Sequence, residues 1–281
     1  MQELLQQVVL TLMLVSMMFA MGLRLTVRDL VVVLSDRRLV GLTLVVNFIA
    51  LPLCALGLVK LVGMEGDVAA GFLLCAAAPG ATMTTILSRN ANADVPVAVA
   101  LLLVLVVVSA LVTPPLASQL FLWAGLGADQ MRAFSAVLSL LAIQVLPLGV
   151  GMLVRDRKPV LAAAIEPVAA KVATLVLVIV IVAMSIVNAN LVLAIGGVST
   201  LFIAGFVAFS TYVGWRFPGP PTTRAASAFA TGAQNIALAT LLAERYLSTQ
   251  GLMTVLIFGL LTYVVLLPLV VVFRRRMVST A

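Results

Sequence analysis

Histidine is absent from all 281 residues, so the commonest general base and metal ligand is missing. Charge is scarce as well: 10% of residues are Asp, Glu, Lys or Arg, against about a quarter in a soluble domain. The ten acids (Glu3, Asp29, Asp36, Glu65, Asp67, Asp94, Asp129, Asp156, Glu166 and Glu244) fall in the polar breaks between apolar runs or within about a turn of a run's end. A proton relay needs a carboxylate deep in the bilayer, and none stands there. Intramembrane hydrolysis by a metal or a carboxylate pair is disfavoured on the same ground. The two cysteines, Cys54 and Cys75, both lie in apolar runs and make neither a disulfide framework nor a zinc knuckle. No enzyme class is left with a visible dyad.

What is present is apolar. Hydrophobic residues make up 63% of the chain, and runs longer than the roughly 18 residues that cross a bilayer core as helix recur throughout. The expectation is a polytopic, all-α membrane protein, one transmembrane domain over residues 1–281. Nine segments are expected, with limits near 4–23, 39–62, 68–88, 95–123, 133–154, 167–187, 191–215, 225–244 and 251–273. The opening MQELLQQVVLTLML has Glu3 but no Lys or Arg ahead of its apolar run. It reads as a first span, since a cleavable signal has a basic leader.

The formal charge of +7 does not form a nucleic-acid patch, because the basic residues are dispersed among short loops. Fourteen of the seventeen (Arg24, Arg28, Arg37, Arg38, Arg89, Arg155, Arg157, Lys158, Lys171, Arg216, Arg224, Arg274, Arg275 and Arg276) fall on one side of the nine-span arrangement. Only Lys60, Arg132 and Arg245 fall on the other. The positive-inside rule then puts the C-terminus in the cytoplasm and the N-terminus outside.

Two segments break the apolar pattern in mid-span. The third span contains Ala78-Pro79-Gly80-Ala81, followed by Thr82, Thr84 and Thr85. The eighth contains Ala230-Thr231-Gly232-Ala233, followed by Gln234 and Asn235. Both read A-x-G-A, 152 residues apart, in spans that run in opposite directions. A lone Pro79 is compatible with an ordinary kink. Paired interruptions in oppositely directed halves point instead to an inverted-repeat transporter, with repeats near 1–123 and 133–273. Such breaks are tolerated only where buried or lining a cavity. The N-terminal ends of the inner half-helices would attract an anionic group, and the oxygens of Thr82, Thr84, Thr85, Gln234 and Asn235 would suit a hard cation.

At these motifs the chain resembles the bile acid:sodium symporter family. The segments carrying the resemblance are MFAMGLRLTVRDL (18–30), LCAAAPGATMTTILSRNANADVPVAVAL, VTPPL (112–116) and FATGAQNIALAT. The resemblance implies a panel domain against a core domain with two crossed, unwound helices, and the family's first helix missing ahead of the MGL segment. It also implies a sodium site. The family's Ser and Asn ligands fall on Thr84 and Thr85, its Gln ligand on Asn47, and its second-crossing amides on Gln234 and Asn235. Two hydroxyl ligands fall on Ala98 and Leu102, and the shared glutamate on Ala230. Na⁺ prefers oxygen ligands, so these three replacements weaken the expected site.

The expected substrate-binding set is Pro79, Gly80, Thr82, Gln234 and Asn235, with Thr84, Thr85, Asn47, Gln234 and Thr231 as the candidate Na⁺ ligands. No cofactor is expected beyond Na⁺ as a coupling ion, and the partners are a small organic anion and membrane lipid. Asn47 alternatively makes only an interhelical hydrogen bond. Gln144, near Pro147, reads as a helix bond, Asn188 and Asn190 as a turn, and Thr113 as bonding a carbonyl freed by Pro114-Pro115. The reading is a secondary transporter of a small organic anion by alternating access. Its alternatives are a membrane receptor on the same fold and an efflux carrier of a related superfamily for arsenite or an organic acid. Cys75, four residues before Pro79, keeps arsenite in view.

Overall fold

A computed structural model of the chain describes residues 36–126, 137–187 and 195–279, together with residues 12, 15, 16, 18–20, 22, 23, 26 and 190. Helix dominates throughout. Helix α1 runs Arg37–Val62. Asp36 caps it by accepting from the Leu39 N–H at 3.0 Å, and Gly63 ends it at φ 68°. Within it, residues Val46–Ala50 form a π turn, closed by Leu51 N–H to the Val46 carbonyl. Pro52 explains the widening: its ring would strike the carbonyl of residue 48 in a regular α-helix, and it has no N–H to donate.

The next segment is split into α2 (Gly66–Ala76) and α3 (Met83–Asn90). Helix α4 (Val95–Trp123) starts at an Asp94 cap that accepts from Val97 N–H at 3.2 Å and runs through Pro114 and Pro115. Helices α5 (Val137–Arg157) and α6 (Pro159–Val187) follow. Helix α6 begins ahead of residue 167, the expected limit of the sixth segment, because Pro159 suits a first helical position and Pro167 is carried inside the helix. Helix α7 is Gly197–Trp215; α8 (Pro221–Gly232) and α9 (Ile236–Tyr246) are the second split pair; α10 is Thr249–Ser279.

Four described helices are long and apolar enough to cross a membrane: 37–62, 95–123, 197–215 and 249–277. The expected span 4–23 lies largely outside the described residues, as do Asn188 and the side chain of Gln144. Asn190 is helical and exposed, where a turn was expected.

Lipid is as apolar as a leucine core, so close backbone packing and aromatic contacts hold the helices together. Phe72, Phe206 and Phe258 knot α2, α7 and α10, with ring centroids 5.2 to 6.3 Å apart. Gly71 lies so close to α10 that a Cβ there would come within 2.6 Å of the Gly251 carbonyl oxygen. Between α7 and α8, a Cβ on Gly214 would come within 2.5 Å of the Ser227 carbonyl. A Cβ on Gly232 would meet the Thr211 side chain. The C-terminal half of α8 is thereby held against the C-terminal half of α7.

Candidate substrate and ion site at the helix breaks

Both interruptions fall on the two A-x-G-A motifs. Helix α2 ends because Pro79 has no N–H and Gly80 takes φ 103°, a left-handed conformation that a side chain resists. Helix α8 ends at Ala233, which is extended at φ −96°, ψ 118°. The two extended stretches pair with each other: Pro79 and Gln234 form an antiparallel bridge, and Asn235 N–H donates to the Ala78 carbonyl at 2.7 Å.

A break frees carbonyls, and here each of two has a partner. The Ala78 carbonyl has Asn235. The Ala77 carbonyl accepts from the Thr113 hydroxyl at 2.7 Å, which is steadied by Ser109 at 2.7 Å. The Phe229 carbonyl already accepts the Ala233 N–H at 3.1 Å, and the Thr84 hydroxyl adds a second bond to it at 3.4 Å. Thr113 was expected to serve a carbonyl freed by its own prolines; it serves the neighbouring broken helix instead, a long-range contact. Satisfying such groups removes a penalty of roughly 1–3 kcal/mol each.

Beyond the pairing, Asn235 caps α9 by accepting from Leu238 N–H at 3.1 Å. Thr82 precedes α3 without a side-chain cap, and Thr85 donates back to its carbonyl at 3.2 Å. A cavity of about 20 Å³ lies between them. It is lined by Ala81, Thr82 and Met83 at the start of α3, by Gln234 to Ala237 at the start of α9, and by Met18, Gly259 and Tyr263. Two helix N-termini thus open onto one small space, which is large enough for about one water.

Pro79 and Gly80 are not among the lining residues. Pro79 is in the bridge, and Gly80 presses on α4, where an added Cβ would lie 3.0 Å from Val106 N. Asn47, on the π turn, is 1% exposed. Its amide donates to the Thr43 carbonyl at 2.9 Å and to the Thr231 hydroxyl at 3.5 Å. Gln234 donates to the Thr231 carbonyl at 3.4 Å. Thr231 therefore joins the two amides, and both Asn47 Oδ1 and Gln234 Oε1 are buried without a partner. So is Asn235 Nδ2. Ala98, Leu102 and Ala230 are buried, each at most 2% exposed, and bring no oxygen beyond the backbone. Cys75 is fully buried in the core, away from the cavity lining.

Met18, Gly259 and Tyr263 gave no signal in the sequence. They sit in ordinary apolar stretches, and only the packing of α10 and the first segment against the breaks brings them in. The π turn had a legible cause in Pro52.

The family model of the sodium bile acid symporters matches residues 11–195. The chain belongs to the sodium bile acid symporter family. This is a family of membrane transporters. The match takes in Asn47 and the first break, while the second break lies beyond it and is known here from its own geometry. No curated protein matches the chain.

Proposed function

We propose that this sodium bile acid symporter family member is a secondary transporter of a small organic anion, working by alternating access with weakened sodium coupling. One observation carries the reading: the N-terminal turns of α3 and α9 line a single cavity at the meeting point of two broken helices. Helix N-termini carry a partial positive charge and unused N–H groups, and the unpartnered Asn235 Nδ2 adds a donor. A carboxylate or sulfonate is the chemical complement. The cavity's size of about 20 Å³ means that substrate enters only when the surrounding helices part. The two split spans belong, in this proposal, to inverted repeats, with the C-terminus cytoplasmic and the N-terminus outside a bacterial inner membrane.

For the ion, the unpartnered oxygens of Asn47 and Gln234, bridged by Thr231, are acceptors suited to Na⁺. No carboxylate stands with them: Ala230 occupies the place of the family's glutamate. Neutral oxygens alone hold a monovalent cation weakly, so transport is expected to differ little between Na⁺ and K⁺. The test is uptake of labelled small carboxylates and sulfonates into proteoliposomes, with either cation outside. Saturable uptake of an anion, lost in Asn235→Ser, supports the proposal. Binding without flux would replace the transporter with a receptor on the same scaffold, and steep Na⁺ dependence would overturn the weakened coupling.

A further inference from the structure

The junction of α7, α8 and α10 carries a second cluster, at the opposite end of α8 from the helix break. Trp215, the last residue of α7, stacks on Phe273 of α10 with centroids 4.6 Å apart and planes at 10°. The Arg224 guanidinium lies 4.6 Å from the indole centroid, and its Nε–H donates to the Trp215 carbonyl at 2.8 Å. The Arg276 guanidinium lies 5.7 Å from the same ring. Arg216 sits 6.0 Å from the Tyr212 ring and donates to its hydroxyl at 3.3 Å. Arg274 and Arg275 are exposed on the last turns of α10.

Two features set this cluster apart from a loop that is merely basic. The chain has no acid between residues 167 and 243 or after residue 244, so α7, α8 and α10 bring none to the cluster; Asp94, before α4, does pack on α8, where its carboxylate accepts from the Thr223 hydroxyl at 3.4 Å and from Val97 N–H at 3.2 Å. The guanidiniums are also held in place. Stacking on an indole and a backbone hydrogen bond fix Arg224, so less side-chain freedom is lost when it meets a ligand. Trp and Tyr at a helix end mark the depth of lipid headgroups, where the nearest anion is a phosphate.

We propose that this junction binds the headgroup of an anionic phospholipid, with Arg216 and Arg224 as the main phosphate donors and Trp215 seated beside the upper acyl chain. Trp215 is itself the probe. The chain has two tryptophans, and Trp123→Phe, at the lipid-exposed end of α4, leaves Trp215 as the only one. In nanodiscs that mix brominated phosphatidylglycerol with plain phosphatidylcholine, or the reverse, quenching of Trp215 reports which lipid is beside it. Each basic residue at a membrane surface contributes roughly a fivefold preference for anionic lipid. Trp215 should therefore favour phosphatidylglycerol by about tenfold or more, and Arg216→Gln with Arg224→Gln should remove most of that.

Arg155→Gln with Arg157→Gln removes the same charge elsewhere and should leave the preference intact. If Arg224→Gln fails to fold, Arg216→Gln with Arg275→Gln carries the same test. Equal quenching by both lipids, or equal losses from the two charge-matched pairs, would overturn the proposal. Relief of the quenching by millimolar free phosphate would also do so, by making the ligand a soluble anion.

Discussion

Gly80→Ala is the sharpest test of the break geometry. Residue 80 holds φ at 103°, and a non-glycine residue in so sparsely populated a region costs on the order of 1–3 kcal/mol. The new Cβ would lie 3.0 Å from both Val106 N and Val106 Cγ2, and 3.3 Å from Leu105 C. Two of these three neighbours are backbone atoms inside α4, which cannot turn aside, and overpacking of this kind adds about 1–3 kcal/mol. The sum is roughly 2–6 kcal/mol, a large part of the 5–15 kcal/mol typical of a folded protein. At about 2–4 °C per kcal/mol for a large domain, the melting point should fall by on the order of 10 °C. The control is Gly57→Ala: Gly57 is inside α1 with no atom within 4 Å of its would-be Cβ. There alanine should be neutral or stabilising by roughly 0.5–1 kcal/mol. Thermal unfolding of both variants in the same detergent decides it. If Gly80→Ala melts within a degree or two of the parent, the strained crossing described above is wrong.

Thr113→Val should cost about 1–3 kcal/mol by stranding the buried Ala77 carbonyl, and Thr113→Ser should restore most of it; equal melting of all three proteins would sink that assignment. Asn235→Ala should lose about 0.5–2 kcal/mol with the α9 cap, whereas Asn235→Ser keeps a capping oxygen and should recover stability without recovering the amide donor. Transport should be flat between about pH 6 and 8, because the chain has no histidine and no Asp or Glu lines the cavity; a bell-shaped profile, or flux driven by an imposed proton gradient, would contradict this.

How much of this was legible beforehand follows from the range of the interactions. The first break is local chemistry: Pro79 without its N–H and Gly80 at a left-handed φ end a helix wherever they stand. The second has no proline, and Gly232 stays helical, so its A-x-G-A match to the first and the polar residues after it were the signal. The limits of α4 were equally local, with Asp94 as the cap. The partners of the freed groups were not local. Nothing around Thr113 says that its hydroxyl will reach Ala77, 36 residues away, and Pro114 beside it pointed to the wrong carbonyl. Tyr263 reads as one more residue of an apolar helix until α10 packs beside the breaks. Family resemblance singled out Asn47, but neither it nor spacing says that Asn47 will reach Thr231, 184 residues away. Helix α6 starts at Pro159, ahead of the expected span limit near 167, because an apolar run does not mark where its helix begins in polar sequence and Pro159 suits a first helical position.

The central claim is that the crossing of the broken helices binds a small organic anion. Its most direct test is the thermal stability of the purified protein against a series of small carboxylates and sulfonates, comparing the parent with Asn235→Ser, in NaCl and in KCl. A ligand at a hundred times its Kd stabilises the folded state by about 2.7 kcal/mol. Such a rise is expected for at least one anion in the parent, nearly equal in the two salts, and is expected to be lost in Asn235→Ser. A rise that survives in Asn235→Ser, or no rise with any anion, would contradict it.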